Sequence, residues 1–298
     1  MPGELVLRGL TKRYPNGVLA LDGVSLTLGK GMFGLLGPNG AGKSTLMRTL
    51  ATLQLPDAGE AWLDEIDIIG DPQSLRQRLG YLPQEFGVYP GVSATELLHH
   101  LAILKGFDDK RVRGEMVDGL LEKVNLYEHR KRAVSGYSGG MRQRFGIAQC
   151  LIGDPELVIV DEPTAGLDPG ERNRFYNILS EIGEQVIVLL STHIVQDVRE
   201  LCERMAIMNR GHVIYNGTTD DALGLIRGRV FEKKVSKGEL AQTYQRHRVL
   251  SSKLVGGTPL VHVYSDGPPE EGGVQEEGYR PAEETLEDVY FAKLNEVI

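Results

Sequence analysis

The spacing of apolar and polar positions changes along the chain and predicts which elements form. From Glu4 to about Gly217, short apolar runs of the kind that form strands alternate with segments of helical periodicity. This alternation predicts an α/β domain with a largely parallel sheet. Three runs are apolar on both faces, as central strands of a parallel sheet are, and they are residues 32–36, 157–160 and 186–191.

Two parts of this first stretch have a different pattern. The N-terminal runs at residues 4–8 and 20–28 predict an antiparallel β addition. Between about residues 92 and 151 the apolar period becomes helical, which predicts an inserted helical subdomain. The residues expected to share apolar helix faces and pack as core are Leu97, Leu101 and Leu104, then Met116, Leu120 and Val124, then Met141, Phe145, Ala148 and Ile152.

Shorter β-like pieces follow residue 217. They lie around a helical stretch near residues 238–245. We therefore predict a first domain over residues 1–217 and a small C-terminal α+β accessory domain over residues 218–298. The β-like pieces of the second domain are residues 231–235, 249–254 and 260–264.

The second domain also contains an acidic segment. Nine acidic residues and one basic residue fall between Asp266 and Asp288, so the first part of the segment predicts a solvated loop at about residues 265–281. A last helix is predicted from about Thr285, because Thr285 and Asp288 form a capping pattern. Its apolar side would consist of Leu286, Val289, Tyr290 and Leu294.

Charge and composition exclude several classes of protein. The 298 residues carry a formal net charge of −8, so nucleic acid is not expected as the main partner. The longest strongly apolar run, residues 186–190, is far shorter than the roughly 20 residues of a spanning helix, and no signal-peptide pattern opens the chain. The sequence predicts a cytoplasmic chain in which Cys150 and Cys202 are buried free thiols.

Residues 37–44 match the phosphate-loop pattern G-x-x-x-x-G-K-[ST], between an apolar run and a helical run at 45–53. Glycines let backbone N–H groups turn toward an anion, and the helix N-terminus adds the positive end of its dipole. We expect Lys43 to reach the β and γ phosphates and Ser44 to coordinate Mg²⁺. The predicted nucleotide contacts are Gly37, Pro38, Asn39, Gly40, Ala41, Gly42, Lys43, Ser44 and Thr45.

Two acidic residues, Asp161 and Glu162, follow the apolar run at residues 157–160. Carboxylates at the end of a buried strand are costly unless a cation or hydrogen bonds satisfy them. With a phosphate loop in the same chain, they resemble the second motif of phosphate-loop enzymes. Asp161 is expected to contact Mg²⁺ through water, and Glu162 to polarise the attacking water.

The segment Y-S-G-G-M-R-Q-R at residues 137–144 resembles the signature sequence of ABC ATPases, although its Tyr and Met replace the commonest Leu and Gln. Ser138, with the N–H groups of Gly139 and Gly140 at the start of a helix, would form a second anion site suited to a γ-phosphate. S-G-G alone is also typical of a flexible turn. Its position 23 residues before Asp161 is that of the family motif.

Four further positions fit the same family. The resemblance implies that Gln84, after the strand-like stretch at residues 80–82, joins the metal site to the helical subdomain. Asp168 ends the segment A-G-L-D, which resembles the loop that touches an opposing cassette. His193 resembles the switch histidine that contacts the γ-phosphate, and Tyr14 resembles the aromatic residue on which adenine stacks.

The resemblance covers about residues 4–217 and implies a P-loop NTPase ABC cassette with ATP and Mg²⁺ as cofactors. Two cassettes, as a homodimer or pseudo-dimer joined head to tail, would bind ATP between them. From the cytoplasmic face of the membrane they would drive a membrane-spanning permease, which an apolar loop at residues 86–90 is expected to dock. The implied metal ligands are Ser44, Gln84 and Asp161, and the implied catalytic residues are Glu162, His193, Lys43 and Gln84.

The end of the chain and two alternatives complete the interpretation. Residues 284–291 are similar to the ends of ATPases from two-component ABC exporters for drugs, lipids, polysaccharides or ions. This similarity favours export over import that depends on a binding protein. One alternative is a soluble ABC ATPase acting in translation or DNA repair, but only one cassette is visible and Lys43 lies just 95 residues before Ser138. The other is a cassette that binds ATP without hydrolysis, yet Glu162 and His193 are both retained.

Overall fold

The computed structural model describes residues 3–87, 89–164, 166–266 and 278–298. The chain divides into two units. The first is Met1–Cys202 with Met208–Val213, and the second is Glu203–Ile207 with Ile214–Ile298. Most of the predicted acidic loop at residues 265–281 lies outside the described residues.

The elements of the two units follow one another along the chain. The first unit contains β1 (Leu5–Arg13), β2 (Leu19–Leu28), β3 (Gly31–Leu36), α1 (Lys43–Leu50), β4 (Ala58–Leu63), β5 (Ile66–Asp67), α2 (Pro72–Arg78), β6 (Leu79–Leu82), α3 (Ala94–Leu104), α4 (Lys110–Lys123), α5 (Gly139–Cys150), β7 (Leu157–Asp161), α6 (Pro169–Gly183), β8 (Ile187–Thr192) and α7 (Val195–Leu201). Strands β9 (Arg204–Asn209) and β10 (His212–Thr218) lead into the second unit, which contains α8 (Thr219–Gly224), β11 (Val230–Lys234), α9 (Leu240–Arg246), β12 (Arg248–Val255), β13 (Thr258–Tyr264), β14 (Arg280–Pro281) and α10 (Leu286–Leu294).

A parallel sheet with the strand order β3, β8, β7, β6 forms the centre of the first unit. Every residue of β7 and β8 is buried, which is why residues 157–160 and 187–190 are apolar on both faces and only the carboxyl ends of the two strands are polar. The three predicted central strands are confirmed to within one residue at each end. The register pairs Leu36 with Thr192 and Asp161 with Ser191, so the segments that follow these strands meet at one edge of the sheet.

The predicted antiparallel addition is also present. Strands β1 and β2 pair antiparallel, and β4 and β5 complete a sheet with the order β2, β1, β4, β5. The sequence did not predict β4. Its first three residues are exposed and it lacks a clear apolar alternation, so the period that normally indicates a strand is missing.

Helices α3, α4 and α5 occupy the stretch predicted to be helical. Each begins at a side-chain cap. Ser93 forms a capping box with Glu96 at the start of α3. Asp109 accepts hydrogen bonds from backbone N–H groups at the start of α4, and Ser138 does the same for α5. These caps define where the helices of the inserted segment start.

Two of the predicted core faces in these helices are wrong in detail. Leu104 is 70% exposed because α3 ends at this residue and turns its last side chains outward. In α4 the fully buried residues are Val117 and Leu121, whereas their neighbours Met116 and Leu120 are only partly buried. Two adjacent apolar stripes have the same helical period, so the period alone could not distinguish them.

Both cysteines are buried free thiols, as predicted. Cys150 ends α5, and Cys202 directly follows α7. Burial raises the pKa of the Cys150 thiol to about 12, and burial likewise raises the pKa of Cys202. The two thiols are therefore not ionised near neutral pH.

The second unit is built on an antiparallel sheet with the strand order β12, β13, β11, β14. Helix α10 begins with the predicted capping box, because Thr285 accepts from the N–H of Asp288 and Asp288 accepts from the N–H of Thr285. The apolar core of this unit consists of Phe231, Val235, Val249, Val261, Val263 and Tyr279.

A buried ion pair joins α10 to the sheet of the second unit. His262 Nδ1 lies 3.0 Å from both carboxylate oxygens of Asp288, and Ser251 donates to the same carboxylate at 2.9 Å. The hydrogen bond from Asp288 raises the pKa of His262. Burial alone would raise the pKa of Asp288, but its bonds from His262, Thr285 and Ser251 lower it below the usual value.

Asp288→Asn should lower the free energy of unfolding of the second unit by about 3 kcal/mol, because it removes the closer of two carboxylates from the buried His262 and leaves only Glu232, at 3.5 Å from Nε2. The His262 contribution is present below the ordinary histidine pKa and is lost as pH rises through its raised pKa. The Asp288 contribution is lost as pH falls through its lowered pKa. Amide hydrogen exchange in β13 and α10 across pH would measure both losses. Glu287→Gln, an exposed change in the same helix, should have little effect; equal protection in both variants would contradict the prediction.

Candidate active site

The phosphate loop lies between β3 and α1, at the carboxyl edge of the parallel sheet. Two of its glycines leave no room for a side chain. A Cβ at Gly37 would lie 2.5 Å from the carbonyl oxygen of Met208, and a Cβ at Gly42 would lie 2.2 Å from that of Ala20. Gly42 also has a φ of +106°, which glycine adopts readily. The loop therefore needs glycine at both positions.

Lys43 is only 5% exposed, and its ammonium group is held inside the loop. Its Nζ donates to the carbonyl oxygens of Gly37 at 2.6 Å and Pro38 at 3.3 Å, and lies 3.9 Å from Glu162 Oε1. Burial lowers the pKa of Lys43, while the carboxylates of Glu162 and Asp161 oppose that shift. The structure thus places a fixed positive charge where the sequence predicts bound phosphates.

The other predicted loop residues form a backbone turn and the first turn of α1. The N–H of Ala41 donates to the carbonyl of Pro38 at 3.1 Å, which closes a turn through the exposed residues Asn39 and Gly40. Ser44, which is exposed, and Thr45, which is buried, are in the first turn of α1. The first turn of a helix has unpaired N–H groups, so this end of α1 favours an anion.

Asp161 is the last residue of β7 and is buried. Burial raises its pKa, while the hydroxyl groups of Ser191 and Ser44 act to lower it. Its Oδ1 atom accepts no hydrogen bond from the part of the chain that the structure describes. A buried carboxylate oxygen without a donor, near a serine hydroxyl, fits a hard cation such as Mg²⁺.

Glu162 has an uncommon backbone conformation, with a φ of +47°. For a non-glycine residue this left-handed region costs roughly 1–3 kcal/mol and is found where the surrounding structure enforces it. Its N–H donates to the carbonyl of Ser191 at 2.9 Å. Its carboxylate lies between Lys43 Nζ and His193 Nδ1, the latter at 3.0 Å. Lys43, Glu162 and His193 are therefore one cluster.

The predicted signature segment opens α5, as expected. Ser138 is the N-cap, and its Oγ accepts from the N–H of Met141 at 3.2 Å, while Gly139 and Gly140 form the first turn. A Cβ at Gly140 would lie 2.2 Å from Glu171 Oε2, so a larger residue there would displace the Glu171 side chain, whereas a Cβ at Gly139 would meet nothing within 4 Å. These N–H groups form a second anion-binding helix end.

The tyrosine that departs from the signature consensus is accommodated by packing. Tyr137 is buried, and its ring packs edge-on against Phe145 with centroids 6.3 Å apart. Its hydroxyl group donates to the carbonyl of His129 at 2.9 Å. The extra polar atom is thus satisfied, and the departure leaves the start of α5 intact.

The remaining predicted residues lie in separate places. The Tyr14 hydroxyl is 3.2 Å from Thr45 Oγ1 and donates to Gln54 Oε1 at 3.1 Å, so Tyr14 is held beside α1. Asp168 caps α6 by accepting from the N–H of Glu171 at 2.9 Å. Gln84 is exposed, two residues after β6.

Within one chain, the two predicted anion sites are not joined. Among the described residues, no hydrogen bond or ion pair connects residues 138–140 or Asp168 to the phosphate loop. The site that the structure assembles consists of Lys43, Asp161, Glu162 and His193, with Ser44 beside it. The chain therefore has one nearly complete phosphate site and one separate helix end.

Sequence reasoning missed a polar network behind this site. Asp197 in α7 is fully buried and accepts hydrogen bonds from the hydroxyl groups of Thr164, Thr192 and Tyr176. A signal was available, because Asp197 shares its helix face with Leu201, four residues later, and a carboxylate on an apolar face requires partners.

Comparison with known proteins identifies the class. Residues 21–165 match the family described as ABC transporter. The daunorubicin/doxorubicin resistance ATP-binding protein DrrA of Streptomyces peucetius is 36% identical over 248 residues, which are 83% of this chain and 74% of that protein. The ABC transporter ATP-binding protein NatA of Bacillus subtilis is 37% identical over 206 residues, which are 68% of this chain and 83% of that protein.

Solved structures agree with these relatives. The chain resembles an ATP-binding subunit of an ABC transporter with a TM-score of 0.66 at 26% identity, over 74% of this chain and 92% of that one. It resembles the dimeric cassette MJ0796, a bacterial ABC transporter cassette, with a TM-score of 0.65 at 26% identity, over 72% and 98% of the two chains.

The chain belongs to the ABC transporter family. Within it, the protein is an ATP-binding subunit with an ABC ATPase cassette, and it hydrolyses ATP. The predicted family, fold and ATPase activity are therefore confirmed. Across the described ranges, none of the helices is both long enough and apolar enough to cross a bilayer.

Proposed function

We propose that this chain is the ATPase subunit of an exporter and acts as a pair of cassettes beneath a membrane-spanning permease. The observation that carries the proposal is the separation of the two anion sites, the phosphate loop and the helix end at Ser138. If each chain supplies one half of a site, two copies placed head to tail complete two sites. The MJ0796 cassette, to which this chain is similar, is known as a dimer.

The proposed chemistry uses the cluster that the structure assembles. Lys43 would hold the β and γ phosphates of ATP, and Ser44 with Asp161 would hold Mg²⁺, which when bound neutralises phosphate charge. Glu162 accepts a proton from the attacking water. His193, 3.0 Å from Glu162, keeps that carboxylate in place and reaches toward the γ-phosphate.

Other residues contribute binding and communication. Tyr14, held beside α1 by Thr45, provides the aromatic face for adenine. Gln84 connects the Mg²⁺ site to the helical segment in which α5 lies. Ser138, Gly139 and Asp168 act on the nucleotide of the opposite cassette. For the chain as a whole, residues 1–217 are the proposed cassette and residues 218–298 the proposed accessory domain.

The loop after Gln84 has the character of a surface that binds a membrane partner. Phe86 is partly buried, and its ring would lie 3.0 Å from a Cβ placed on Gly146 of α5, so it packs on the signature helix. Tyr89 is 64% exposed. An exposed aromatic residue beside an apolar one favours contact with another protein. Val88, also part of the predicted loop, lies outside the described residues.

Tyr89→Ser, alone and with Phe86→Ser, should abolish transport while leaving basal ATP hydrolysis within about twofold, because the loop is apart from the Lys43 cluster. Export by the reconstituted transporter and ATPase activity of the isolated subunit would be measured together. Tyr244→Ser removes a similarly exposed tyrosine, 51% exposed, from the second unit and serves as the matched control. Full transport in the Tyr89 variant would exclude this loop as the coupling surface.

Export, the membrane partner and the cytoplasmic location can be tested together. The relatives include proteins named for daunorubicin and doxorubicin resistance and for Nod factor export, which supports an exporter. A tagged copy purified from native membranes should bring down a protein with about six apolar segments of ~20 residues each. In inside-out vesicles, added protease should cleave the tagged chain and added ATP should be hydrolysed. A soluble solute-binding protein in the complex would indicate import, and recovery with ribosomes or DNA would indicate the soluble alternative.

A further inference from the structure

The residue Asp197 forms a buried bridge between the loop after β7 and the end of β8 in the candidate site. Its side chain is 0% exposed. One oxygen, Oδ2, accepts from Thr164 at 2.7 Å and from Thr192 at 2.8 Å, and the other accepts from the hydroxyl of Tyr176 in α6. A buried carboxylate needs several donors, and these three hydroxyl groups supply them.

The two threonines connect this bridge to the proposed catalytic residues. Thr164 follows Glu162 by two residues, and Thr192 directly precedes His193. The strands β7 and β8 that lead into these positions are parallel neighbours. A single carboxylate oxygen therefore connects the segment after β7, two residues beyond Glu162, to the last residue of β8, which directly precedes His193.

The backbone at these positions depends on being held. Glu162 has a φ of +47°, which the surrounding structure must enforce. The enforcing contacts are the bond from its N–H to the carbonyl of Ser191 and the bond from Thr164 to Asp197. At the end of β8, Thr192 Oγ1 also accepts from the N–H of Ile194 at 3.0 Å, which fixes the turn around His193.

We propose that Asp197 is a positioning residue for ATP hydrolysis, which sets the 3.0 Å separation of Glu162 and His193 through the two threonines. This inference rests on the roles proposed above for Glu162 and His193. Asp197 makes no hydrogen bond to any described residue of the phosphate loop. Its loss should therefore reduce the rate of the chemical step and not the binding of ATP.

The first test is the steady-state kinetics of the full chain. Asp197→Ala should lower kcat by about 10- to 100-fold, because small displacements of a reacting group have effects of this size, and should change the KM for ATP by less than about threefold. Asp197→Asn should keep kcat within about threefold, since its amide oxygen can still accept from both threonines while its NH₂ group donates to the Tyr176 oxygen. Rescue by asparagine distinguishes positioning from general loss of structure.

The second test is a double-mutant cycle. Thr164→Val and Thr192→Val each keep the side-chain shape and remove one end of the bridge. If one bridge links Thr164 to Thr192, the double variant should be no slower than the slower single variant. Independent local effects would instead multiply, and that result would overturn the proposal.

A matched control is available in the second unit. Asp288 is also a fully buried carboxylate that accepts a threonine hydroxyl, so Asp288→Asn should lower stability without changing kcat. All rates are measured below the temperature at which any variant begins to unfold. The proposal fails if Asp197→Ala keeps wild-type kcat, if KM rises as much as kcat falls, or if the Asp288 variant loses as much activity. Glu162→Gln with wild-type turnover would instead refute the roles assigned to the site.

Discussion

Replacing Lys43 with alanine should reduce phosphate release from ATP to the level of a blank without protein. Lys43 holds the only ammonium group that the described structure places inside the phosphate loop, where it bonds to two carbonyl oxygens of that loop. Removing one preorganised charge from a site where negative charge develops costs at least about 10²-fold in rate. Nucleotide affinity should fall as well, since the same charge faces bound phosphates.

Lys105 provides a control of the same chemistry. Its Nζ also donates to two backbone carbonyl groups, those of Leu79 at 2.9 Å and Ile152 at 2.8 Å, and burial also lowers its pKa. Lys105→Ala should therefore lower stability but keep turnover per folded molecule. Phosphate release and binding of a fluorescent ATP analogue would be measured for both variants. Equal activity in the Lys43 variant and the wild type would exclude the loop from catalysis.

Glu162→Gln should convert the protein into a form that binds ATP, fails to hydrolyse it and dimerises. Glutamine fills the same space but cannot accept a proton, so the rate should fall at least about 10²-fold with affinity retained. Uncleaved ATP would then join the phosphate loop of one chain to Ser138 and Gly139 of another. Because ATP binds more tightly to the dimer, ATP and Mg²⁺ should shift the variant from monomers to dimers. With ADP the variant should return to monomers. Light scattering would measure the change.

A second substitution tests whether the dimer uses the proposed surfaces. A side chain at Gly139 meets nothing within 4 Å in its own chain, so Gly139→Glu should fold normally and place a negative charge at the helix end. Combined with Glu162→Gln, it should prevent dimerisation at saturating ATP. A Glu162 variant that stays monomeric with ATP would show that the isolated subunit does not close. One that hydrolyses ATP at the wild-type rate would show that Glu162 is not the base.

The sequence predicted the centre of the fold well because two independent signals coincide there. Residues 157–160 are apolar enough to indicate a buried strand, and the two acids that follow them, Asp161 and Glu162, indicate a site. Two signals also coincide at the phosphate loop. One is the apolar run before it, and the other is the spacing of its glycines and lysine, which the backbone geometry of the loop fixes. The roles given to the individual site residues, and the domain boundary at residue 217, stay predictions that the variants above can test.

The errors have a common physical cause. In α4, two neighbouring stripes fit one helical period, and only the packing partners decide that Val117 and not Met116 is buried. Asp197 was missed because two of its three partners are distant in sequence: Thr164 and Tyr176 are 33 and 21 residues away, and only Thr192 is near. Periodicity reports local order along one element, whereas a buried bridge depends on how separate elements meet.

The burial of Cys150 and Cys202 has a practical consequence for studying this molecule. A thiol with a raised pKa reacts slowly with maleimides and iodoacetamides, which attack the thiolate. We therefore expect the native chain to serve as a background without reactive cysteines. A cysteine introduced at an exposed position such as Tyr89 would then carry a fluorophore or spin label at one defined point, so distances between two copies could be followed during the ATP cycle with both native thiols left in place.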